Sequence, residues 1–377
     1  MDQRFGAVEE VDLTGLFNGV YRGRRVLVTG HTGFKGSWLA LWLRELGAEV
    51  SGLALAPDTE PSHHRLLALG VVEALEDLRD AEAVRNAVER FRPEIVFHLA
   101  AQPLVRRSFR EPVATVATNV MGLLHLLEAV RDCSSVRAVV NATTDKCYEV
   151  DGRRDGYAEE DRLGGFDAYS ASKACAEILS SCWRRSFLGP GRADGRAPIL
   201  LATARAGNVV GGGDWAEDRL VPDLVRAAAA GREAPVRNPR AVRPWQHVLE
   251  PLAGYLLLGQ RLFAGDSMCA SAWNFGPAAG GELSVSEIAH GLARHWPAVR
   301  MAVDAGSHPH ETAELRLNWD KARRTLGWVP VWGARVMLER TAAWYRTYYE
   351  SGRTRSLEDL QDFVLDAKRA GVGWAVH

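Results

Sequence analysis

A tyrosine and a lysine four positions apart, Tyr169 and Lys173, open a stretch with helical periodicity. That spacing puts both side chains on one face of a helix. A lysine ammonium beside a phenol favours the phenolate, so Tyr169 is expected to have a lowered pKa and to serve as a general base near neutral pH. Upstream, Thr143-Thr144-Asp145-Lys146 follows a short apolar run. A hydroxyl, a carboxylate and an ammonium just past a strand's carboxyl end lie where open α/β sheets bind ligands. One of the two threonine hydroxyls could hydrogen-bond a substrate at the same carbon as Tyr169, and an acid and a base beside it would permit elimination of water. Near the start, Gly30-His31-Thr32-Gly33-Phe34-Lys35-Gly36 joins an apolar run to a helical one. Glycines there allow a tight turn and close approach to a pyrophosphate, whose charge faces a helix N-terminus. The pattern is that of a nicotinamide dinucleotide site.

These groups need a scaffold, and the periodicity supplies one. Residues 25–29, 49–55, 95–99, 136–142 and 199–204 read as strands. Residues 37–46, 81–91, 117–131 and 169–186 read as helices. Strands alternating with helices imply a doubly wound, Rossmann-like parallel sheet, of α/β class. After about residue 205 glycine clusters break the rhythm, and 285–295 and 335–349 read as helices. We expect a dinucleotide-binding domain over 15–205 and a smaller mixed α/β substrate lobe over 206–377, with about 243–262 returning to the first domain. Residues 1–24 read as an irregular lead-in, and 189–196 as a flexible surface loop.

Composition narrows the function classes. The chain has 377 residues, 47% hydrophobic and 25% charged, with a net charge of −1, which gives no electrostatic case for nucleic acid or an anionic membrane. No run of about 18 apolar residues is evident to span a bilayer, and the N-terminus lacks a signal-peptide pattern. The five cysteines (Cys133, Cys147, Cys175, Cys182, Cys269) form no CxxC pair, and reduced thiols in a cytoplasmic protein are expected. His63-His64 and His308-Pro309-His310 have no carboxylate or cysteine at ligand spacing, so no metal is expected. The second strand ends Leu55-Ala56-Pro57-Asp58, where Asp58 comes late for a ribose-binding acid. Asp77 and Leu78 could bracket an adenine, and the absence of arginine at that strand end favours NAD over NADP. Trp38, Trp42 and Trp183 fit helix faces, while Trp215 and Trp245 are candidates to line a nucleotide site.

The motifs GHTGFKGSWLALWLRELGAEV, HLAAQPLVRRSF, TNVMG, TTDKCYE, DAYSASKACAE, GNVVGGGDWAEDRLVPDLVRA, RPWQHVLEPLAGYL, WNFGP and LGWVPVW occur in that order over residues 24–349. With them the chain closely resembles CDP-glucose 4,6-dehydratases of the extended short-chain dehydrogenase/reductase type. The resemblance implies a mechanism. NAD takes a hydride from C4 of the glucose ring while Tyr169 removes the hydroxyl proton, with Lys173 tuning Tyr169. Lys146 then abstracts the C5 proton, Asp145 protonates the departing C6 hydroxyl, and the hydride returns to C6. Thr144 completes the catalytic set. Cofactor contacts would come from Gly30, Thr32, Gly33, Phe34, Lys35, Gly36, Asp77, Leu78, Ala100, Ala101, Gln102, Thr143, Tyr169 and Lys173. Substrate contacts would come from Arg106, Asn119, Asn208, Arg219, Arg243 and Gln246, arginine being suited to phosphate. The resemblance also implies a homodimer, or a tetramer, paired through the helices that begin near Ala114 and Tyr169. The alternatives left open are a dehydratase or epimerase-like enzyme on another nucleotide sugar, and a non-catalytic NAD sensor on the same fold.

Overall fold

The computed structural model describes residues 12–376 except 154, 193, 194, 305 and 307–314, so His308 and His310 lie outside the described residues. The first half alternates as β1 (Arg25–Thr29), α1 (Phe34–Glu45), β2 (Glu49–Ala54), α2 (His63–Leu67), β3 (Val72–Leu75), α3 (Ala81–Phe91) and β4 (Ile95–His98). There follow α4 (Val105–Arg110), α5 (Pro112–Val116), α6 (Gly122–Asp132), β5 (Ala138–Ala142), α7 (Ala168–Trp183) and β6 (Leu200–Ala206). The second half holds β7 (Asn208–Val210), α8 (Leu220–Ala229), β8 (Ala234–Val236), β9 (Val242–His247), α9 (Leu249–Phe263), β10 (Ala272–Phe275) and β11 (Glu282–Ser284). It closes with α10 (Val285–His295), β12 (Met301–Val303), α11 (Ala334–Ser351) and α12 (Ser356–Arg369).

Seven strands form one sheet in the order β10-β6-β5-β4-β1-β2-β3, with every neighbouring pair parallel. The expected doubly wound sheet is present, and its strand order reverses between β1 and β4. That reversal opens the crevice in which such sheets bind ligands. Both faces are covered, so the inner strands read as continuous apolar runs rather than alternating ones. Val26 and Val28 pack into one core with Trp42, Leu252 and Leu256, whereas Leu27 faces the other with Val84, Val88, Leu123 and Leu127. The short sheet β11-β9-β7 and the pair β12-β8 make the mixed second layer.

Three expectations are corrected. Residues 12–24 are not a loose lead-in: Leu13, Leu16, Phe17 and Tyr21 are buried, and Phe17 stacks on Trp374 at 5.1 Å. Among the described residues of the loop expected to be flexible, Arg192 donates to Arg131 O at 2.8 Å and Arg196 to Asp132 O at 2.9 Å, which ties both down. The helix expected from residue 117 begins at Pro112, a residue pre-set for a first helical turn, and crosses a π turn at Ala117–Met121. The span Pro112–Asp132 is long and apolar enough to cross a membrane by length and composition. In the fold its Leu123, Leu126, Leu127 and Val130 are buried in the core, packed with Val84 and Val88 of α3. The seventh strand of the sheet, β10, comes from residues 272–275. Helix α9, apolar on nearly every side, packs on the sheet.

Candidate active site

The glycine turn sits at the strand-order reversal. Gly30 has φ +73°, and a Cβ there would lie 2.7 Å from Ala100 N, so the turn after β1 touches the exit of β4. A Cβ on Gly36 would run into Gly30 O, so α1 can press against the turn only with glycine at that position. The first turn of α1, capped by Gly33, then faces a cavity of about 1220 Å³. Gly30, Thr32, Gly33, Phe34, Lys35, Gly36, Asp58, Asp77, Leu78, Ala100, Ala101, Gln102 and Thr143 all line it. This cradle fits a dinucleotide: glycines where side chains would fill it, helix N–H groups at one end and two carboxylates at the other. Asp77 is engaged by Arg79 at 2.6 Å, which holds its carboxyl below the usual range. Asp58, for which no ribose role was assigned from sequence, also reaches the wall.

His31, beside the first glycine, turns away from the cavity. Its Nε2 lies 2.8 Å from Glu73 Oε2, which His64 Nε2 also approaches at 3.3 Å. Sequence spacing missed this grouping because Glu73 arrives from β3, a short edge strand. Both histidine Nδ1 atoms are buried without partners. A metal on the two Nε2 atoms would strand protons on those Nδ1 atoms, so the grouping is better served as hydrogen bonds to one carboxylate.

The catalytic candidates converge from β5 and α7. Asp167 caps α7 by accepting from Ser170 N at 3.0 Å, which fixes Tyr169 in the first turn and places Lys173 one turn on. After β5, Thr144 caps a 3₁₀ turn over Asp145–Cys147. Its hydroxyl donates to Asp145 Oδ1 at 3.1 Å, and Lys146 Nζ lies 3.5 Å from the same oxygen. Thr144, Lys146, Tyr169 and Lys173 line the cavity. Asp145 stands directly behind, with no exposed surface and with Oδ2 lacking a partner.

The expected lowering of the Tyr169 pKa is not found. Burial raises it to about 12, and the groups pulling it down are the Thr144 hydroxyl and the Arg219 guanidinium. Lys173 turns to Ala142 O, at 3.1 Å, instead. Burial lowers the Lys173 pKa to about 8, with Glu177 holding it up. Spacing along a helix placed the pair on one face but could not show what buries them.

Around the rest of the wall, Arg106, Asn208, Arg219 and Arg243 line the cavity. Arg219 is steadied by Asp214 at 2.8 Å, and Asn208 Oδ1 is a buried acceptor without a partner. Asn119 and Gln246 are buried and stand behind the wall. Asn119 accepts from Gln102 N and donates to Gln102 O and Ser172 Oγ, so it positions Gln102. Gln246 donates to Phe275 O in the core. Trp245 reaches the wall, whereas Trp215 packs against Trp344 and Tyr348.

Sequence reasoning missed two groups of residues. Asp218, in a left-handed conformation at φ +57°, bridges Arg106 at 3.0 Å and Arg237 at 3.2 Å, and all three line the cavity. Glu177 and Arg205 form a buried pair behind the catalytic residues, at 2.8 Å. Glu177 follows Lys173 by four residues, a signal readable in the sequence; Arg205 and Asp218 carried none.

Known proteins share this arrangement to different degrees. The model of the GDP-mannose 4,6 dehydratase family matches residues 27–341. The CDP-glucose 4,6-dehydratase of Salmonella typhimurium is 46% identical over 354 residues, covering 93% of this chain and 98% of that protein. The dTDP-glucose 4,6-dehydratase of Neisseria gonorrhoeae is 26% identical, over 85% of this chain and 95% of its own. Among solved structures, the dTDP-glucose 4,6-dehydratase of Streptomyces venezuelae with NAD bound superposes with a TM-score of 0.69 at 25% identity, covering 85% of this chain and 96% of that one. The UDP-glucose 4-epimerase of Thermus thermophilus in complex with NAD gives a TM-score of 0.71 at 26% identity, covering 85% and 98%.

Proposed function

The chain belongs to the GDP-mannose 4,6 dehydratase family, and from that premise we propose that it is a CDP-glucose 4,6-dehydratase, converting CDP-glucose to CDP-4-keto-6-deoxyglucose with NAD. The observation that carries the reading is Lys146 on one cavity wall with Tyr169 and Lys173, with Asp145 paired to it directly behind: an oxidation site with an elimination site against it. The similarity to the Salmonella enzyme supports CDP over other nucleotides.

The glycine turn and the first turn of α1 would hold NAD, whose nicotinamide would supply reversible hydride transfer to and from the sugar. Tyr169 would take the C4 hydroxyl proton as the hydride leaves, its phenolate favoured by the Thr144 hydroxyl and the Arg219 guanidinium against the effect of burial. The ketone formed acidifies C5, and Lys146, on the cavity wall, removes that proton. Asp145, buried behind the wall, would supply the proton for the departing C6 hydroxyl through the Thr144 hydroxyl, which contacts it and lines the cavity. Arg219 and Arg243 hold the diphosphate, where fork-shaped guanidinium groups suit paired oxygens.

We also propose a cytoplasmic homodimer. Val113, Val116, Met121 and Ile178 are exposed on the two helices expected to pair, at 80%, 43%, 46% and 58%, and an apolar face of this kind is normally covered. The decisive experiment is incubation with CDP-, dTDP-, UDP- and GDP-glucose, followed by mass spectrometry. Loss of one water from CDP-glucose is expected; loss from another substrate in its place overturns the assignment.

A further inference from the structure

Two arginines of the cavity wall share one carboxylate oxygen. Arg106, on α4, and Arg237, just past β8, both donate to Asp218 Oδ1, at 3.0 and 3.2 Å. Arg110, one turn along α4, stands 3.8 Å from Asp218 Oδ2 and pairs with Glu217 at 2.7 Å. These contacts tie α4, which follows a strand of the large sheet, to the turn before α8 and to the smaller layer. The side chains of Asp218, Arg106 and Arg237 are 22%, 28% and 23% exposed and line the cavity, so a ligand there can reach all three. Burial would raise the Asp218 carboxyl, but the two guanidinium groups overcome it and keep the carboxylate ionised. Its left-handed backbone, at φ +57°, is uncommon for a residue with a side chain, and such strain collects at ligand clamps.

Two guanidinium groups converging on one anionic oxygen make the environment that a phosphate oxygen takes. The substrate of the proposed reaction brings a diphosphate into this cavity. Beside an ionised Asp218 it would meet a like charge, and two arginines already partly neutralised. We propose that Asp218 is a resident stand-in for the substrate's diphosphate: Arg106 and Arg237 pass from its carboxylate to the phosphate oxygens as the nucleotide sugar binds. Before binding, the carboxylate keeps the two arginines aimed at the cavity. On binding, it has to be displaced, which loosens the grip on the nucleotide and eases release of the product. Asp218 is thus a positioning residue that also limits affinity. The inference rests on the nucleotide-sugar reading and deepens it, since it names the group with which the substrate competes.

The test is CDP binding by calorimetry, without turnover. It compares the wild type, Asp218→Asn, the double variant Arg106→Gln, Arg237→Gln, and the triple variant that combines them. Asparagine keeps the size of the side chain and tolerates the left-handed backbone. Asp218→Asn is expected to bind CDP roughly fivefold more tightly than the wild type. The double variant should bind CDP more weakly than the wild type, and adding Asp218→Asn to it should change nothing. An unchanged or weakened affinity in Asp218→Asn overturns the proposal and leaves Asp218 as a brace of the wall. A gain of the same size in the triple variant over the double also overturns it, because the carboxylate would then act without the arginines. If Asp218→Asn does not fold, Asp218→Gly, unstrained at this φ, is read in the same way. Binding of CDP by the wild type with no gain in the variants refutes the proposal alone, whereas failure of the wild type to bind CDP removes the nucleotide-sugar reading and the proposal with it.

Discussion

Replacing Glu177 by Gln removes one charge from an enclosed ion pair. The side chains of Glu177 and Arg205 are each 3% exposed, with Arg205 Nη2 2.8 Å from Glu177 Oε2. Glu177 also accepts from Thr203 at 2.7 Å and from Thr143, the neighbour of Thr144. Burial alone would raise its pKa, but Arg205 overrides that and keeps it ionised. At an effective dielectric of about 20, two charges about 4 Å apart attract by about 4 kcal/mol. Breaking a buried pair from one side costs about 3–5 kcal/mol, because the other charge stays buried and unpaired. Glu177→Gln is therefore expected to lose about 4 kcal/mol of unfolding free energy in urea titrations. The double variant Glu177→Met, Arg205→Met should recover much of it, since two apolar groups leave no orphan charge. Glu177 also holds up the Lys173 pKa, so the pH profile of the single variant should shift to favour neutral Lys173 at lower pH. A loss below about 1 kcal/mol, or a double variant no better than the single, would refute the claim that this pair is an enclosed electrostatic brace.

Tyr169→Phe, which removes the hydroxyl placed to take the C4 proton, should abolish turnover while leaving nucleotide binding intact. Wild-type-like turnover would reject the assignment. For Lys146→Met, solvent deuterium should no longer appear at C5, as read by mass spectrometry of the product; unchanged incorporation counts against its role as the base. Gly36→Ala should sharply weaken NAD binding, because its Cβ would meet Gly30 O and push α1 off the turn. Unaltered affinity in calorimetry would show that the turn yields. Glu250, buried beneath the Val331 and Trp332 N–H groups, has its pKa raised from 4.5 to about 8 by burial. A raised folded pKa gives stability that is full below the unfolded value and is lost as pH rises through the folded one. Unfolding free energy should fall by roughly 2–3 kcal/mol between about pH 6 and pH 8, and less in Glu250→Gln.

What the sequence alone determined is local in origin. The glycine turn, the Tyr169–Lys173 face and the Thr144-Asp145-Lys146 exit each depend on a few consecutive residues, whose geometry follows from strand, turn and helix spacing. The inner strands were legible because a sheet covered on both faces leaves apolar runs, whereas β3, a half-buried edge strand carrying Glu73, left no such trace. Tertiary structure alone decided which polar residues face the cavity. Asn119 and Gln246 carry the same chemistry as Asn208 but spend it on Gln102 and Phe275 behind the wall. It also decided the sign of the Tyr169 shift, since burial is set by everything packed around a side chain and a helical neighbour counts for less.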